Sequence, residues 1–357
     1  MFRKNLADMK AYQPGPTPEM IAESLGLARV VKLDANENVY GASPKVREAV
    51  IADALRPAQY PDSNDSDLRR ALAATWRINS EELLFGMGLD EIIVLVSRAF
   101  LEPGTNAVMA WPTFYEYYSH AHIEGADVKK IPLDNAGRHD LSAMLRSIDT
   151  HTRVCWICNP NNPTGTYVNA RELRDFVSAV PSDCVIAIDE AYIEFVTAAD
   201  FPDALQLMRD FPNVLLLRTF SKAYGLASFR LGYAIGRARL IAEVNKVRPP
   251  FNNPRLSQVA ALAALSDSAF LETCTRENRR VRERVSALLS EKGIPFYPSQ
   301  TNFIFVTTSR AQAMAEQLKA NGFLVNPFAD GIRVTLGKMD DMKELLAVLE
   351  RCFSSPV

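Results

Sequence analysis

Several features that would commit a 357-residue chain to a particular environment are scarce in this sequence. Its longest apolar runs, such as residues 214–217, fall far short of the roughly 20 residues that a membrane-spanning helix needs. Basic and acidic residues nearly balance, at 40 and 42, and no basic block stands out. We therefore expect neither nucleic acid nor a membrane as a partner. Residues 1–8 lack the apolar stretch of a secretory signal, so we expect a cytoplasmic protein.

Cysteine and histidine are too few and too scattered to predict a disulfide framework or a metal site. The five cysteines are an odd number, which fits a reducing compartment. Cys155 and Cys158 form a CxxC pair, but they lie in an apolar run typical of a buried strand, with no second pair nearby. Core cysteines are the favoured interpretation. The four histidines lack ligand spacing, so no metal is predicted.

Short apolar runs alternate with amphipathic stretches through the middle of the chain. This alternation predicts an α/β fold with a mainly parallel central sheet flanked by helices. The predicted strands are residues 83–85, 107–109, 128–131, 154–157, 185–188, 214–217 and 233–235, and helices between them include residues 90–100, 141–147, 170–179 and 204–210.

The length of the chain favours two domains, and the Pro-rich stretch 248–254 marks a join. We predict an N-terminal arm at 1–30, a large domain at 31–247 and a small α+β domain at 248–357. The small domain is predicted to contain helices at 256–265, 268–292, 311–321 and 339–353, with strands at 302–306, 323–325 and 332–336.

Polar segments follow several predicted strands, and each has a plain structural alternative. Gly88 opens a helix whose first N–H groups could bind a phosphate. The pattern is not a dinucleotide-binding fingerprint, because Glu91 occupies the position of its third glycine. An ordinary strand–helix turn explains the segment equally well. Asn162 lies in a loop that could be a simple turn. Asp189 ends an apolar strand, where a buried acid needs a cationic or protonated partner, although it could instead cap a helix. Lys222 lies in an apolar stretch, and burial would make its amine a nucleophile.

The order of these segments carries a specific resemblance. Asn162, Asp189, Lys222 and Arg230 follow one another at successive strand ends. With them, the sequence resembles fold-type I PLP-dependent (pyridoxal 5′-phosphate) aminotransferases, and among these the histidinol-phosphate aminotransferases. The matching segments cover nearly the whole chain and are residues 32–38, 60–62, 88–91, 161–165, 189–192, 221–227, 230–233, 302–303 and 332–335.

The resemblance implies a PLP cofactor and a role for each matching residue. Lys222 would carry PLP as a Schiff base and move the substrate proton, and Asp189 would pair with the protonated ring nitrogen. Tyr192 and Asn162 would hydrogen-bond the ring oxygen, and Phe114 would stack on the ring. The residues implied to bind the cofactor phosphate are Gly88, Leu89, Asp90, Thr219, Ser221 and Arg230.

Substrate contacts and a partner subunit are implied in the same way. Arg333 matches the clamp for the substrate α-carboxylate, which suits its planar fork. Tyr60 matches a residue that reaches the other subunit's cofactor and substrate, which implies a homodimer. The full set implied to contact the substrate is Tyr12, Asn36, Tyr60, Asn162, Arg333 and Asn326.

Two positions depart from the family pattern. Ser228 stands for a common glycine, and its small size should matter little. Asn326 stands where the family commonly has an arginine associated with the substrate's phosphate, and Arg248 or Arg255 could replace it. The expected reaction is transamination between histidinol phosphate and 2-oxoglutarate, or the reverse from imidazole-acetol phosphate and glutamate. The alternatives are an aromatic amino acid aminotransferase, a PLP decarboxylase of an amino-acid phosphate and a PLP-sensing module of a transcription regulator.

Overall fold

The computed structural model describes residues 3–7, 9–11, 13–54 and 58–354, and no helix among them is both long and apolar enough to cross a membrane. The helices are Pro18–Leu25 (α1), Pro44–Asp53 (α2), Ser66–Trp76 (α3), Gly88–Phe100 (α4), Tyr115–Glu124 (α5), Leu141–Ser147 (α6), Ala170–Ala179 (α7), Ala204–Asp210 (α8), Ala238–Asn245 (α9), Arg255–Leu265 (α10), Ser268–Glu291 (α11), Ala311–Ala320 (α12) and Met339–Ser354 (α13). The strands are Val31–Lys32 (β1), Leu83–Gly86 (β2), Asn106–Trp111 (β3), Asp127–Pro132 (β4), Thr152–Cys158 (β5), Val185–Asp189 (β6), Val214–Thr219 (β7), Gly232–Gly236 (β8), Phe296–Tyr297 (β9), Phe303–Thr307 (β10), Phe323–Leu324 (β11), Asn326–Phe328 (β12) and Gly331–Thr335 (β13).

The large sheet has the strand order β2-β8-β7-β6-β5-β3-β4. All its strands run in one direction except β8, which is antiparallel to both β2 and β7. The predicted mainly parallel sheet is confirmed, and every strand predicted in the middle of the chain belongs to it. The carboxyl ends of the parallel strands share one edge, which is where open α/β sheets bind ligands.

Helices cover both faces of this sheet. Side chains along a strand point alternately to the two faces. In β6, Ile186 and Ile188 pack into a core with α7 and α8, whereas Val185 and Ala187 pack into a second core with α4. Because both faces are buried, the strands are continuous apolar runs rather than alternating ones, which is the pattern that the sequence shows.

Polar caps set where several crossover helices begin. The Asn169 side chain accepts a hydrogen bond from the Glu172 N–H at 3.0 Å, and the Glu172 carboxylate accepts one from the Asn169 N–H at 2.9 Å, which starts α7. The Asp140 and Asp203 side chains cap α6 and α8 in the same position. A cap of this kind contributes about 1 kcal/mol, so these residues fix the short links between strands and helices.

The small sheet is antiparallel, in the order β12-β13-β10-β9. Ile304 and Ile332 on one face pack against α11, α12 and α13 in a third core. Phe303 and Arg333 lie on the opposite face, and Phe303 packs into the second core beneath the large sheet. The small sheet therefore presents Arg333 to the large sheet.

Two contacts cross the predicted domain boundaries. β1 pairs in parallel with β11, so residues just after position 30 join the C-terminal part of the chain. Helix α10 packs on α2 and α3, with Ala260 and Ala261 in the first core of the large sheet. The division into 1–30, 31–247 and 248–357 stays a prediction.

Candidate active site

A cavity of about 210 Å³ opens where the carboxyl edge of the large sheet meets β13. The start of α4 and the segments after β3, β5, β6 and β7 reach it. Most of the predicted site residues are brought together here, although they are far apart in the sequence. The lining residues are Ala35, Asn36, Leu89, Asp90, Phe114, Cys158, Asn162, Asp189, Ala191, Tyr192, Thr219, Ser221, Lys222, Arg230 and Arg333.

Some predicted substrate residues are not part of this lining. Asn326 lies on β12 directly opposite Arg333 in the antiparallel β12–β13 pair. The Tyr60 side chain is 79% exposed, and its ring stacks on that of Phe251 with 4.7 Å between the ring centroids. Tyr12 lies outside the described residues.

Lys222 extends into the cavity from the segment after β7. Its Nζ donates a hydrogen bond to the Ala35 carbonyl at 3.1 Å, and it forms no salt bridge within the described ranges. Burial, with a smaller effect of the Arg333 charge, lowers the pKa of Lys222 to about 8 from its ordinary 10.5. The neutral amine, which is both the nucleophile and the proton acceptor, is therefore more populated than in an ordinary lysine.

Two acids at the end of β6 are stabilised in different ways. Asp189 Oδ2 accepts a hydrogen bond from the Tyr117 hydroxyl at 2.5 Å, and Oδ1 accepts one from the Ala191 N–H at 2.9 Å. Burial raises the pKa of Asp189 to about 6, although both hydrogen bonds oppose the shift. Glu190 Oε2 instead accepts two hydrogen bonds from buried Arg218, at 2.9 and 2.7 Å. Within the described part of the chain, Asp189 is thus the acid of this pair that has no cationic partner, and it lines the cavity.

An anion site is formed at the start of α4. Gly88 has a φ of +75°, and a Cβ there would come within 2.5 Å of Arg230 Nη2, so a side chain would displace the guanidinium. The first N–H groups of α4 have no intrahelical acceptor, and the buried hydroxyl residues Thr219 and Ser221 line the same cavity. Arg230 Nη2 also forms a salt bridge with Asp90 Oδ2 at 2.8 Å. Both side chains are half-exposed, so this ion pair contributes little stability. Together these donors suit a phosphate monoester.

Arg333 is a buried cation with unused hydrogen-bonding capacity. Its Nη1 donates to Asn162 Oδ1 at 2.6 Å, and its Nη2 donates to the Asp34 carbonyl. Its Nε has no hydrogen-bond partner within the described ranges. Such a guanidinium attracts an anionic group of a ligand, because its planar N–H donors match carboxylate and phosphate oxygens.

The remaining polar wall of the cavity is Tyr192, next to Asn36. The Tyr192 hydroxyl accepts a hydrogen bond from Asn36 Nδ2 at 3.0 Å, and its ring meets the edge of Phe303 with 5.1 Å between centroids. Burial raises the pKa of Tyr192, so the hydroxyl stays protonated. Phe114 supplies an aromatic face to the same cavity.

A sequence model of one family, aminotransferase class I and II, matches residues 28–349. The chain belongs to this family. A Bacillus cereus protein named histidinol-phosphate aminotransferase 2 is 44% identical over 353 residues, which cover 99% of this chain and 96% of that protein. A histidinol-phosphate aminotransferase from Bacillus cytotoxicus is 44% identical over 97% of this chain and 95% of its own length.

Solved structures of aminotransferases share the fold. The histidinol-phosphate aminotransferase from Sinorhizobium meliloti, in complex with PLP, aligns with a TM-score of 0.90 and 28% identity over 99% of this chain and 98% of that one. A Thermus thermophilus aspartate aminotransferase aligns with a TM-score of 0.84 at 22% identity over 98% and 99% of the two chains, which bears on the fold alone. The predicted fold-type I architecture is confirmed, and the protein is a PLP-dependent aminotransferase.

The cavity of this aminotransferase fits PLP on structural grounds. The space that a Cβ at Gly88 would fill is needed for the Arg230 guanidinium at the anion site. The buried Asp189 carboxylate requires a protonated partner such as a pyridine nitrogen, and the Lys222 amine has the lowered pKa that a carbonyl-reactive group needs.

Tyr117 and Cys158 are among the residues of this aminotransferase's site that sequence reasoning missed. Tyr117 on α5 is fully buried, stacks on Trp156 with 4.7 Å between centroids, and donates to Asp189. Its only sequence signal is its place one helical turn after Phe114. Cys158 lines the cavity, whereas Cys155 packs in the first core; both are buried and unpaired. The core interpretation of the CxxC pair is thus confirmed, with one cysteine also at the site.

The lowered pKa of Lys222 makes a prediction about the cofactor-free protein. Below pH 8 Lys222 is protonated in both the folded and the unfolded protein, so the folded state contains a charged, half-buried ammonium. Above pH 10.5 Lys222 is deprotonated in both states. Wild-type stability should therefore rise between these values, because the unfolded chain binds the proton more tightly. We expect Lys222→Met to raise the free energy of unfolding by about 2 kcal/mol at pH 7, with the gain shrinking above pH 8.

Urea unfolding of the cofactor-free variants at pH 7, 8 and 9.5 and one protein concentration measures this difference. Lys246→Met is the matched control, because the Lys246 side chain is 67% exposed. A gain for Lys222→Met that does not depend on pH would show that packing, and not the charge, causes it.

Proposed function

We propose that this aminotransferase transfers an amino group between histidinol phosphate and 2-oxoglutarate, and in reverse between glutamate and imidazole-acetol phosphate, as a step of histidine biosynthesis. The observation that carries the proposal is the 44% identity to relatives named histidinol-phosphate aminotransferases, over 99% of this chain. The arrangement of charged groups in the cavity supports it, because it offers one anion site for the cofactor and one for a substrate.

The proposed roles of the chain's own residues follow from their surroundings. Bound PLP would supply an electron sink for the carbanion at the substrate Cα. Lys222 Nζ would take the proton from Cα and return it to the cofactor carbon, a task that suits an amine with a pKa near 8. Asp189 would keep the ring nitrogen protonated, and Tyr117 would hold that carboxylate in place through its hydrogen bond.

The other cofactor contacts are proposed from the walls of the cavity. Tyr192 and Asn162 would donate to the ring oxygen, since the oxygen of each already accepts a hydrogen bond from elsewhere. Phe114 would stack on the ring. The phosphate would be held by the anion site, which comprises the N–H groups of Leu89 and Asp90 beside Gly88, the hydroxyls of Thr219 and Ser221, and the guanidinium of Arg230.

Arg333 would bind the anionic group of the substrate in both half-reactions. Histidinol phosphate carries a phosphate monoester where an amino acid carries its α-carboxylate. One guanidinium with free N–H donors can therefore meet the carboxylate of glutamate and the phosphate of histidinol phosphate. The substrate contacts proposed for Tyr12 and Tyr60 would come from the arm and from a second subunit.

A panel of matched amino donors tests the proposal, with 2-oxoglutarate as the acceptor. Histidinol phosphate, histidinol and histidine differ only in whether the end group is a phosphate, a hydroxyl or a carboxylate, and phenylalanine tests the aromatic alternative. We expect kcat/KM to be highest for histidinol phosphate and to fall at least about tenfold for histidinol, because a charged hydrogen-bonded group is lost. A preference for phenylalanine would replace the proposal by the aromatic aminotransferase.

That second candidate is favoured by Asn326. Asn326 lies opposite Arg333 on adjacent antiparallel strands, so the two side chains share one face of the small sheet. An arginine here would put a second guanidinium beside the first, whereas asparagine contributes no charge. Arg255 does not line this cavity, and its Nε and Nη2 donate to Asp53 at 2.6 and 2.7 Å.

Asn326→Arg is therefore expected to raise kcat/KM for histidinol phosphate relative to phenylalanine by roughly tenfold to a hundredfold. The gain in kcat/KM is expected because a guanidinium can bind a doubly charged phosphate through two charge-assisted hydrogen bonds. Asn326→Gln is the control for side-chain length without charge. If the ratio of the two specificities stays the same or falls in Asn326→Arg, position 326 does not govern phosphate recognition.

A homodimer with shared sites is proposed from exposed apolar side chains. Tyr60 and Phe251 stack on each other at the surface, and Ile51 and Leu262 are exposed on α2 and α10, which pack together. A second copy would cover this surface, and the Tyr60 hydroxyl would reach the partner's cavity.

Mixing two inactive variants tests the shared site. Lys222→Ala subunits re-paired at random with Tyr60→Ala subunits should recover about a quarter of wild-type activity, because half of the dimers are mixed and each has one intact site. Each variant re-paired with itself is the control. An active monomer in sedimentation at assay concentration would contradict the shared site.

We also infer a cytoplasmic location, a small-molecule amino donor and a 2-oxo acid acceptor. All five cysteines are free and buried, which fits a compartment that keeps thiols reduced.

A further inference from the structure

A chain of hydrogen bonds leads from β13 of the small sheet to the Tyr192 hydroxyl. Thr335 Oγ1 donates to Asn36 Oδ1 at 3.1 Å, and Asn36 Nδ2 donates to the Tyr192 oxygen at 3.0 Å. The backbone N–H of Asn36 returns a hydrogen bond to Thr335 Oγ1 at 3.0 Å. All three residues are buried, with at most 3% of each exposed.

The direction of each hydrogen in this chain follows from the donors and acceptors present. Thr335 Oγ1 already accepts the Asn36 N–H, which leaves its own hydrogen for the Asn36 amide oxygen. The Asn36 amide nitrogen can only donate, so the Tyr192 oxygen must accept. If the Asn36 amide oxygen and nitrogen exchanged positions, the Thr335 hydroxyl hydrogen would have no acceptor within the described residues. An unsatisfied buried donor destabilises the folded state.

The hydrogen of Tyr192 is consequently directed away from Asn36. Tyr192 remains protonated, because burial raises its pKa. Its oxygen is occupied by Asn36, and its hydrogen is left to donate into the cavity that the hydroxyl lines. A tyrosine without the Asn36 contact could equally turn its hydrogen toward any acceptor nearby.

The backbone conformation and several hydrogen bonds fix the position of Asn36. Its φ of +55° is left-handed, which asparagine tolerates better than most residues. Asn302 Nδ2 donates to the Asn36 carbonyl at 3.1 Å. Both side-chain polar atoms of Asn36 are engaged by Thr335 and Tyr192, which fits a positioning role better than the substrate contact predicted from the sequence.

We propose that Thr335 and Asn36 are positioning residues that act through Tyr192. They hold its hydroxyl as a hydrogen-bond donor toward the ring oxygen of the bound cofactor. The inference rests on the role proposed above for Tyr192, and it is independent of which amino donor the aminotransferase prefers.

The absorption spectrum of the cofactor-loaded protein without substrate tests the proposal. The spectrum changes when the nitrogen that links the cofactor to Lys222 loses its proton. A hydrogen bond donated to the neighbouring ring oxygen stabilises the deprotonated form, so it lowers the pH of this change. We expect Thr335→Val to raise this pH by about half a unit to one unit, the size of one lost hydrogen bond. Thr335→Ser, which keeps the hydroxyl, should titrate like the wild type, and Tyr192→Phe should show a larger shift.

The double variant distinguishes positioning from general loosening of the site. If Thr335 acts through Tyr192, Thr335→Val adds no shift to Tyr192→Phe. Equal shifts with and without the Tyr192 hydroxyl, or no shift from Thr335→Val alone, overturn the proposal. No shift from Tyr192→Phe itself overturns the proposed role of Tyr192 as well. Asn36→Gly, which tolerates the left-handed φ, replaces Thr335→Val in the same cycle if that variant does not fold.

Discussion

Replacing Lys222 with alanine is expected to lower the turnover of histidinol phosphate by roughly 10⁴-fold, the upper end of the range for loss of a proton-transfer group. Among the described residues Lys222 is the one lysine that lines the cavity, and its pKa of about 8 suits both attack on a carbonyl and proton transfer at Cα. The measurement is the single-turnover rate of the cofactor-loaded variant with excess donor.

A small primary amine should restore part of this rate, because it can enter the space that the lysine side chain vacates. Lys130→Ala is the matched control. Lys130 also has a lowered pKa, but its Nζ lies 3.5 Å from the centroid of the Tyr118 ring, outside the cavity. Unchanged turnover in Lys222→Ala would show that the chemistry does not depend on Lys222, and an equal loss in Lys130→Ala would show that the effect is not specific to it.

Asp189→Asn is expected to slow the same half-reaction about a thousandfold while leaving the cofactor bound. The substitution keeps the shape of the side chain but removes the anion that would hold a proton on the ring nitrogen. Breaking one side of a buried ion pair costs roughly 3–5 kcal/mol, which corresponds to a rate loss of this order. The Ala191 N–H and the Tyr117 hydroxyl can still meet the amide, so the local fold should persist.

Stopped-flow absorbance of the loaded variant measures the rate, and its cofactor content serves as the internal control for binding. Tyr117→Phe is a graded comparison, since it removes one hydrogen bond to Asp189 and leaves the charge. A half-reaction of Asp189→Asn within tenfold of the wild type would contradict the role of the carboxylate.

The convergence of the site residues could be predicted because parallel strands place their carboxyl ends at one edge. Asn162, Asp189 and Lys222 are distant in sequence, yet Asp189 ends a strand and the other two follow strands of the same direction. The apolar runs predicted those strands. The polar residue after each run was therefore predicted to lie at the carboxyl edge of the sheet. The resemblance to a known family then supplied roles that strand order alone does not contain.

Contacts made by helix packing or by short strands could not be predicted in this way. Tyr117 meets Asp189 only because α5 packs in the second core, and nothing in the local sequence specifies that packing. Asn326 lies opposite Arg333 on β12, a three-residue strand containing a proline, which has too few residues to show a period. Asn36 lies in the loop after β1 and Tyr192 in the turn after β6, so their contact depends on the finished fold.

Borohydride reduction of the purified, cofactor-loaded protein, followed by peptide mapping, tests the central claim most directly. The claim is that the cavity between the large sheet and β13 holds PLP on the Lys222 amine. Reduction should leave the cofactor permanently attached to a single peptide, with the modified residue at Lys222. Attachment at another lysine, or a protein that takes up PLP without any reducible linkage, would contradict the account.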